Sequence, residues 1–381
     1  MIYLDSAATT LEKPRSVPVA AARAMTQLAS PGRGGHRAGL GAAELVYQMR
    51  EQAAKLFHVS DLENVVLTSS ATHGLNIAIR SLVREGGSVV ISGYEHNAVT
   101  RPLHTIPGVT VKTAVGALFD ADGVYAAFER EIMPGVDAVI CSHVSNVFGF
   151  IQPVERVARL CRERGVPLIV DASQSAGILP VDMEGWGAAF IAMPGHKGLY
   201  GPQGTGLLLC GAETTPLMFG GTGSLSALQE MPDFLPDRLE AGTQNVCGAA
   251  GLLAGMRFVS GRGTERIHTH ECALARYMMD SLEGIPGVTV FRGEQNQSGL
   301  FSLTVDGLDC EVVAEELARR DVAVRAGLHC APLAHRSAGT EDTGTVRFSF
   351  SAFNRREQAD RAAAILRQIV RESRKPRAVH A

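Results

Sequence analysis

The sequence predicts an α/β protein built on a large, mainly parallel sheet, with a smaller α+β domain beside it. Three observations carry this prediction. Between about residues 40 and 210, short apolar runs alternate with stretches of helical periodicity. These runs lack a polar–apolar alternation, which is typical of strands that are covered on both faces. After about residue 245, helices follow one another and strands come in succession, which indicates an α+β unit.

The individual elements of the first region follow from their apolar patterns. Leu45, Val46 and Met49 recur at helical spacing, whereas NVVLT and AVICS are continuous apolar runs of strand length. The predicted helices are 41–57, 72–83, 122–131 and 154–164, and the predicted strands are 64–68, 88–92, 109–113, 138–142, 168–171, 189–192 and 206–209.

The second region has a different order of elements. Its predicted helices are 248–258, 265–282, 311–319 and one from residue 355, and its predicted strands are 288–291, 301–305, 322–325 and 345–350. We therefore predict a large domain over residues 15–250 and a small domain made of residues 1–14 and 251–381.

The amino-acid composition limits the partners, the cross-links and the cellular compartment that can be expected for this chain. The chain has 381 residues and a net charge of −3, so neither nucleic acid nor a membrane is expected as a partner. The seven cysteines are scattered and none forms a Cys-x-x-Cys pair, which argues against disulfides and zinc. With no secretion signal recognised at Met1, these features predict a cytoplasmic protein without a bound metal. His268–Cys272 has metal-ligand residue types, but its spacing suits an ordinary helix start.

Polar residues follow several predicted strands. Because ligands bind beyond the carboxyl ends of strands in open α/β sheets, these residues are candidates for one site. Small hydroxyl residues and His73 follow the first strand, where Thr72 opens a helix that would suit a phosphate or would simply be capped. His96, Asn146, Asp171 and Lys197 follow later strands.

Four of these residues match the needs of pyridoxal phosphate (PLP). This cofactor requires a lysine for covalent attachment, an acid for its pyridinium nitrogen, an aromatic group over the ring and a phosphate cup. Lys197, Asp171, His96 and the turn at Thr72 supply one of each. The alternative for Lys197 alone is a solvated loop lysine, but the combination favours a PLP site.

The sequence resembles the class V, fold type I PLP enzymes, and among them the cysteine desulfurase and selenocysteine lyase group. The resemblance covers nearly the whole chain. It rests on ten segments in order: YLDSAATT (3–10), GGHRAG (34–39), SATHGLN (70–76), EHNAV (95–99), SNVFG (145–149), DASQSAG (171–177), PGHKGLYGPQGTG (194–206), EAGTQN (240–245), RAGLHCAP (325–332) and VRFSFSAFN (346–354).

The resemblance implies roles for the matching cofactor residues. Lys197 would bind PLP covalently, Asp171 would pair with its ring nitrogen, and Gln174 with its phenolic oxygen. His96 would stack on the ring. The resemblance also implies a phosphate-binding set made of Thr72, His73, His196 and, from a second subunit, Thr243.

For the substrate, the resemblance implies that Asn146 and Arg347 bind the carboxylate, and we predict Arg325 as a further substrate-binding residue. Three positions depart from the family pattern. Pro194 stands where a serine is common, which would remove one phosphate hydroxyl, and His73 where threonine or glutamate is common. Leu328 replaces a histidine two residues before the reactive cysteine.

Cys330 decides between the possible reactions. Glycine and proline surround it, which predicts an exposed turn, and the neighbouring His329 and Arg325 would favour the thiolate. The resemblance then implies a desulfurase that converts L-cysteine to L-alanine and forms a persulfide on Cys330. The alternatives are a selenocysteine lyase, a cysteine sulfinate desulfinase or another class V aminotransferase-type enzyme, none of which needs Cys330.

The spacing around the reactive cysteine predicts a branch of the group. Cys330 and Arg347 lie only 17 positions apart. This resembles the short-loop, Suf-type branch, whose members pass sulfur to an acceptor protein. The resemblance thus implies a homodimer that mobilises sulfur, as in iron–sulfur cluster assembly.

Overall fold

The structure, a computed structural model, describes residues 1–32 and 34–374. Its largest element is a seven-stranded sheet in the order β2-β8-β7-β6-β5-β3-β4. The strands of this sheet are β2 (Val65–Thr68), β3 (Ser88–Ser92), β4 (Thr110–Ala114), β5 (Ala138–Ser142), β6 (Leu168–Asp171), β7 (Phe190–Pro194) and β8 (Gly206–Cys210). Each predicted strand of this region is therefore confirmed within two residues.

The direction of the strands also matches the prediction of a mainly parallel sheet. Strands β4, β3, β5, β6 and β7 are parallel neighbours, and only β8 runs antiparallel to β7 and β2. The central strands β5, β6 and β7 are buried along their whole length. Helices cover both faces, which explains why these strands are continuously apolar.

Among the described residues before 245, two α-helices precede the first strand of this sheet and five follow it along the chain. They are α1 (Ser16–Gln27), α2 (Arg37–Phe57), α3 (Ala71–Leu82), α4 (Asn97–His104), α5 (Ala121–Glu131), α6 (Val154–Arg164) and α7 (Met183–Trp186). Helices α1, α4 and α7 were not predicted. Helix α4 is short, contains Pro102 and begins at a cap made by His96, so its apolar periodicity is brief.

The second region contains a four-stranded antiparallel sheet in the order β12-β13-β10-β9. Its strands are β9 (Val288–Phe291), β10 (Leu300–Val305), β12 (Arg325–Gly327) and β13 (Thr345–Ser349). Helices α9 (Thr264–Leu282), α10 (Cys310–Ala318) and α12 (Arg356–Ser373) contribute to its apolar core, and α11 (Pro332–Ala338) follows β12.

One predicted strand is wrong. The run 322–325 is divided into β11 (Val322–Ala323) and the first residue of β12. Strand β11 pairs in parallel with β1 (Ile2–Tyr3), whereas β12 pairs with β13. The chain passes from one sheet to the other at Val324. The apolar pattern continues through this point, so the sequence gives no sign that the strand is divided. This pairing also attaches the chain's N-terminal residues to the second region.

Helix α8 (Val246–Arg262) connects the two regions. The predicted boundary between residues 250 and 251 falls within this helix, and residues 375–381 of the predicted small domain lie outside the described residues. The division into two domains stays a prediction. Helix α8 packs on α1 and α2.

Two glycines let α8 approach the segment after Lys197. A Cβ atom at Gly255 would lie 2.2 Å from the carbonyl oxygen of Leu199, and one at Gly251 would lie 2.4 Å from Pro202. Only glycine therefore permits this close packing of helix and backbone.

Within residues 1–32 and 34–374, no helix has both the length and the apolar character needed to cross a bilayer.

Candidate active site

A cleft lies at the carboxyl ends of the parallel strands. We call it the central cleft. Segments that follow β2, β3, β5, β6 and β7 all contribute to its walls. The cleft thereby brings together seven predicted residues: Thr72, His96, Asn146, Asp171, Gln174, His196 and Lys197.

Lys197 lies three residues after β7, in a turn whose backbone is fixed by Thr10. The Thr10 hydroxyl donates to the carbonyl oxygen of His196 at 3.0 Å. No described residue forms a hydrogen bond with the Lys197 Nζ. Burial, together with the cations Arg347 and Arg325, lowers the pKa of Lys197 to about 8, against the opposing effect of Asp171. About a tenth of the amine is therefore neutral near pH 7, far more than for an ordinary lysine, and the neutral amine is the form that attacks a carbonyl.

Asp171 is the last residue of β6 and is 5% exposed. Its Oδ1 accepts from the backbone N–H of Ser173 at 2.9 Å, and no described residue donates to Oδ2. A buried carboxylate with a free oxygen is costly unless a cationic or N–H group meets it. Gln174 donates from Nε2 to the carbonyl oxygen of Ala7 at 3.0 Å, which leaves its amide oxygen free.

His96 forms one wall of the central cleft and also caps α4. Its Nδ1 accepts from the backbone N–H of Ala98 at 3.0 Å, so the proton lies on Nε2. Burial lowers the pKa of His96 to about 4, although Asp171 acts in the opposite direction. The ring is thus a neutral, flat surface that is held by the helix it begins.

One end of the central cleft has the properties of an anion site. Ser70 caps α3 by accepting from the backbone N–H of His73, and Thr72 lies in the first turn of this twelve-residue helix. The Nδ1 of His196 is buried without a hydrogen-bond partner among the described residues. A helix N-terminus and an unpaired imidazole nitrogen suit a phosphate group. Pro194 also lines the cleft. It occupies the position at which a serine hydroxyl is common in the family that the sequence resembles.

Two predicted phosphate residues lie elsewhere in this chain. His73 and Thr243 line a separate cleft between β2 and the segment 239–245, which we call the side cleft. The His73 ring is 3.4 Å from the Ser69 backbone nitrogen, and burial lowers its pKa. Thr243 is exposed. Their roles toward a phosphate stay predictions.

Arg347 lies on β13 with 2% of its side chain exposed. Its Nη2 donates to Asp5 at 2.7 Å and its Nη1 to the carbonyl oxygen of Asn146 at 2.8 Å. Its Nε is buried and has no partner among the described residues. The guanidinium group is therefore fixed in orientation and still has unused hydrogen-bonding capacity.

Arg325 is the cross-strand neighbour of Arg347, and its side chain is exposed. Two adjacent arginines make this edge of the small sheet electropositive, which favours an anionic substrate. Burial lowers the pKa of Arg347, with Asp5 acting in the opposite direction and Arg325 in the same direction.

Cys330 is exposed and follows β12, as predicted. Its carbonyl oxygen accepts from the backbone N–H of Asn97 at 2.7 Å, next to His96. The Asn146 amide donates to the carbonyl oxygen of His329 at 2.8 Å. The cysteine loop is therefore attached to two walls of the central cleft.

His329, predicted together with Arg325 to favour the thiolate, cannot do so as a cation. Burial lowers the pKa of His329 to about 2, and the cations Arg347 and Arg325 lower it further. The ring is thus neutral and supplies no positive charge. Of the two residues proposed to favour the thiolate, Arg325 alone is a cation.

Two acidic groups were missed by the sequence analysis. Asp5, within the YLDSAATT segment, pairs with Arg347 across the site. Glu95 is fully buried between β3 and β5, where its Oε1 accepts from Ser92 at 2.5 Å and from the Ser142 backbone N–H at 2.7 Å. Burial raises the pKa of Glu95 to about 8. The one signal in the sequence that could have pointed to Glu95 is its position just after a predicted strand and next to His96.

The candidate metal-ligand residues of the segment 268–272 do not converge on one point, because they contact different neighbours. Cys272 lies 3.5 Å from His268, His270 contacts the carbonyl oxygen of Asn354, and Glu271 contacts Tyr200. Among the residues that the structure describes, no three His, Cys, Asp or Glu side chains form a group suited to a metal ion.

The central cleft fits PLP by its own chemistry. It combines a lysine of low pKa, a buried carboxylate with a free oxygen, a neutral ring on one wall and an anion site at one end. These features match the attachment point, ring nitrogen, ring face and phosphate of that cofactor.

Comparison with known proteins supports this assignment. The profile of the family "Aminotransferase class-V" matches residues 2–362. The chain belongs to this family, whose members use PLP.

The most similar relatives and solved structures include proteins named as cysteine desulfurases. A probable cysteine desulfurase of Methanothermobacter thermautotrophicus is 32% identical, over 97% of this chain and 94% of that protein. One of Halalkalibacterium halodurans is also 32% identical, over 95% and 91%. The apo cysteine desulfurase of Thermococcus onnurineus superimposes with a TM-score of 0.89 at 30% identity, over 97% and 95% of the two chains.

Proposed function

We propose that this protein is a PLP-dependent cysteine desulfurase, which converts L-cysteine to L-alanine and retains the sulfur as a persulfide on Cys330. One observation carries the proposal. Of the seven cysteines, only Cys330 is exposed, and its loop is attached to His96's helix and to Asn146 at the central cleft. The names of the relatives support the same reaction.

The cofactor would be held by the residues of the central cleft. Lys197 would bind it covalently, Asp171 would face its ring nitrogen and Gln174 its phenolic oxygen, while His96 would lie on the ring. Thr72 and His196 would meet the phosphate. When bound, PLP supplies an electron sink for negative charge at the substrate Cα.

The chain's own residues orient the substrate and move its protons. Arg347, through its free Nε, and the Asn146 region would bind the carboxylate at the electropositive edge. Lys197 would take the Cα proton on Nζ, since its lowered pKa keeps part of the amine neutral near pH 7.

The sulfur step forms one bond and breaks another. The Cys330 thiolate attacks the substrate sulfur, an S–S bond forms and the Cβ–S bond breaks. Carbon keeps the electron pair of the broken bond and takes up a proton, so alanine is released. The sulfur is oxidised to the persulfide level while Cβ is reduced.

The persulfide would then pass to an acceptor protein, as the relatives' group implies. Cys330 is exposed and is followed by the compact helix α11, which leaves the thiol open to a partner. The short spacing between Cys330 and Arg347 supports a place in the Suf-type branch.

We also propose that the protein is a homodimer in a reducing cytoplasm. The segment 217–234 exposes several large apolar side chains, among them Phe219 at 76% and Leu228 at 55%. Such a patch is typical of a protein interface. It precedes Thr243, which would reach the phosphate bound by a partner subunit. The reactive Cys330 requires a reducing compartment.

The test is the variant Cys330→Ala, with Cys247→Ala as a matched control at a half-buried cysteine. In Cys330→Ala, we expect alanine and sulfide release from cysteine to fall at least about a hundredfold, because no thiolate remains to accept sulfur. The visible absorbance of the bound cofactor and its shift on adding cysteine should persist. Cys247→Ala should keep wild-type turnover.

Parallel assays separate the alternatives. Alanine release from cysteine, selenocysteine and cysteine sulfinate is measured with both variants, and alkylation followed by mass spectrometry locates the bound sulfur. Full cysteine turnover by Cys330→Ala, or extra sulfur on another cysteine, would replace the desulfurase proposal with a general lyase or aminotransferase.

A further inference from the structure

Cys330 lies in an unusual backbone conformation. Both His329 and Cys330 are in the left-handed region, with φ of 49° and 57°. Residues other than glycine adopt this conformation at a cost, and two in succession persist only when surrounding contacts fix them. The direction in which the thiol points therefore depends on what holds this turn.

Backbone contacts account for part of this restraint. The carbonyl oxygens of His329 and Cys330 accept from Asn146 and from the Asn97 backbone N–H. The Ala331 backbone N–H donates to the carbonyl oxygen of Leu328 at 2.9 Å, which closes the turn. These bonds fix the two peptide groups. The side chain of His329 is held by other residues, which form a layer beneath the turn.

That layer is a pair of stacked imidazoles. The rings of His329 and His335 lie 5.8 Å apart between centroids, with 19° between their planes. His335 is on α11 and is 0% exposed. The Phe148 ring lies 5.8 Å from His335 between centroids and is tilted by 56° to it. The histidine next to the reactive cysteine is thus stacked on His335, which in turn packs against Phe148.

Each ring has a single anchored nitrogen. The Nε2 of His329 is 3.1 Å from the carbonyl oxygen of Thr345, so it carries the proton. The Nδ1 of His335 is 2.8 Å from the Thr340 hydroxyl. The other two nitrogens, His329 Nδ1 and His335 Nε2, are buried and have no partner among the described residues.

Both rings are neutral for a physical reason. A second proton on either ring would be a buried N–H without an acceptor. After burial, the cations Arg347 and Arg325 further lower the pKa of His329, whereas the Glu341 carboxylate opposes the lowering of the His335 pKa. Burial lowers the pKa of His335 to about 4. The stack therefore consists of two uncharged flat rings, which a hydrocarbon ring of similar shape could imitate.

We propose that His335 is a positioning residue for Cys330: its ring supports His329 and so fixes the turn from which the thiol attacks substrate sulfur. The proposal rests on the function proposed above, in which Cys330 accepts that sulfur. Since His335 does not line the central cleft and forms no hydrogen bond with Cys330, it should affect the sulfur step without altering cofactor binding.

The experiment compares His335→Ala with His335→Phe in the holoenzyme, with His104→Ala as a control at an exposed histidine of α4. We expect His335→Ala to lower kcat for cysteine about tenfold while KM changes less than about twofold, because misplacement of a reacting group reduces rate more than binding. His335→Phe should restore kcat to within about threefold of wild type, because it keeps the stacked ring.

A second measurement does not depend on turnover. The rate at which iodoacetamide alkylates Cys330 is followed by peptide mass spectrometry in each variant. We expect this rate to change at least about threefold in His335→Ala, because the turn is no longer fixed, and to return toward wild type in His335→Phe. Cofactor absorbance should be the same in all variants, and His104→Ala should match wild type throughout.

The results separate this inference from the proposed function. Unchanged kcat and alkylation in His335→Ala, or a His335→Phe protein as impaired as His335→Ala, would overturn the inference. If His335→Ala does not fold, Thr340→Val replaces it, since that change removes the anchor of the His335 ring without opening a cavity. An alkylation rate equal to wild type in Thr340→Val would then overturn it. Full turnover in Cys330→Ala would instead reject the proposed function, whatever the alkylation rates show.

Discussion

The two ends of the site are built in different ways. The cofactor end consists of residues that follow five strands of one sheet, and Asp171 and Lys197 lie where the strand ends place them. The sulfur end consists of a turn with two left-handed residues, held by contacts from α4, the segment after β5, and β13. The first depends on sheet topology, and the second on individual side-chain and backbone contacts far apart in sequence.

This difference predicts how each end should respond to mutation. Removing a group at the cofactor end takes away chemistry that nothing else supplies, whereas loosening the sulfur end should impair one step and leave the cofactor bound. Variants at the two ends should therefore differ in their spectra as well as in their rates.

The largest effect is expected at Lys197. Lys197→Ala should reduce turnover of cysteine at least about ten-thousandfold, because the covalent attachment and the proton-accepting amine are both lost. The purified protein should also lack the absorbance of a lysine-bound cofactor. Lys55→Ala, at an exposed lysine of α2, serves as control. A wild-type protein that stays colourless after addition of PLP would contradict the assignment of the cofactor end.

A smaller loss is expected where the two ends meet. Arg347→Lys should lower kcat/KM for cysteine about a hundredfold, because a single ammonium group cannot replace the fixed guanidinium fork. The matched control is Arg325→Lys, at the exposed cross-strand neighbour, which should lose less than about tenfold. Equal losses in the two variants would show that general positive charge, rather than the orientation of Arg347, binds the carboxylate.

Asp5 is expected to have a weaker effect. Asp5→Asn keeps the shape of the side chain but removes the charge that orients Arg347, so kcat/KM should fall about tenfold. Cofactor absorbance should not change. The measurement is steady-state kinetics with cysteine, and wild-type values would indicate that Asn146 alone positions the arginine.

A substitution of Glu95 should change the thermal stability of the protein rather than its rate. Its pKa is raised to about 8 in the folded protein, so its contribution to stability is complete below its ordinary value near 4.5 and is lost as the pH rises through 8. Glu95→Gln stays neutral and should remove this loss. We expect the variant's Tm to exceed that of wild type by a few degrees at pH 9. The two proteins should differ little at pH 4.5. Parallel Tm curves over this range would exclude a buried neutral Glu95.

The sequence predicted the cofactor end better than the sulfur end, for reasons that lie in the residues. Continuous apolar runs mark β5, β6 and β7, and the residues after them meet at one edge because parallel strands share a direction. The resemblance then supplied roles for Asp171 and Lys197. No comparable periodicity marks α4 or α11, which are short, and the change of sheet at Val324 leaves no pattern.

The contacts of the sulfur end depend on burial, which the sequence does not record. His329 was expected to favour the thiolate because it neighbours Cys330, yet in the structure its ring is buried against His335 and is neutral. Similarly, the partnership of Asp5 and Arg347 joins residues at opposite ends of the chain. Only the pairing of β1 with β11 and the folding of the small sheet bring them together.

The close packing of α8 has a consequence for the stability of the cofactor end. Gly255 and Gly251 let this helix lie on the backbone that follows Lys197, so the shape of that backbone and the position of α8 depend on each other. We therefore expect the cofactor attachment point and the helix to behave as one cooperative unit. A chain that binds PLP should show slower hydrogen exchange along α8, although the helix contributes no side chain to the central cleft.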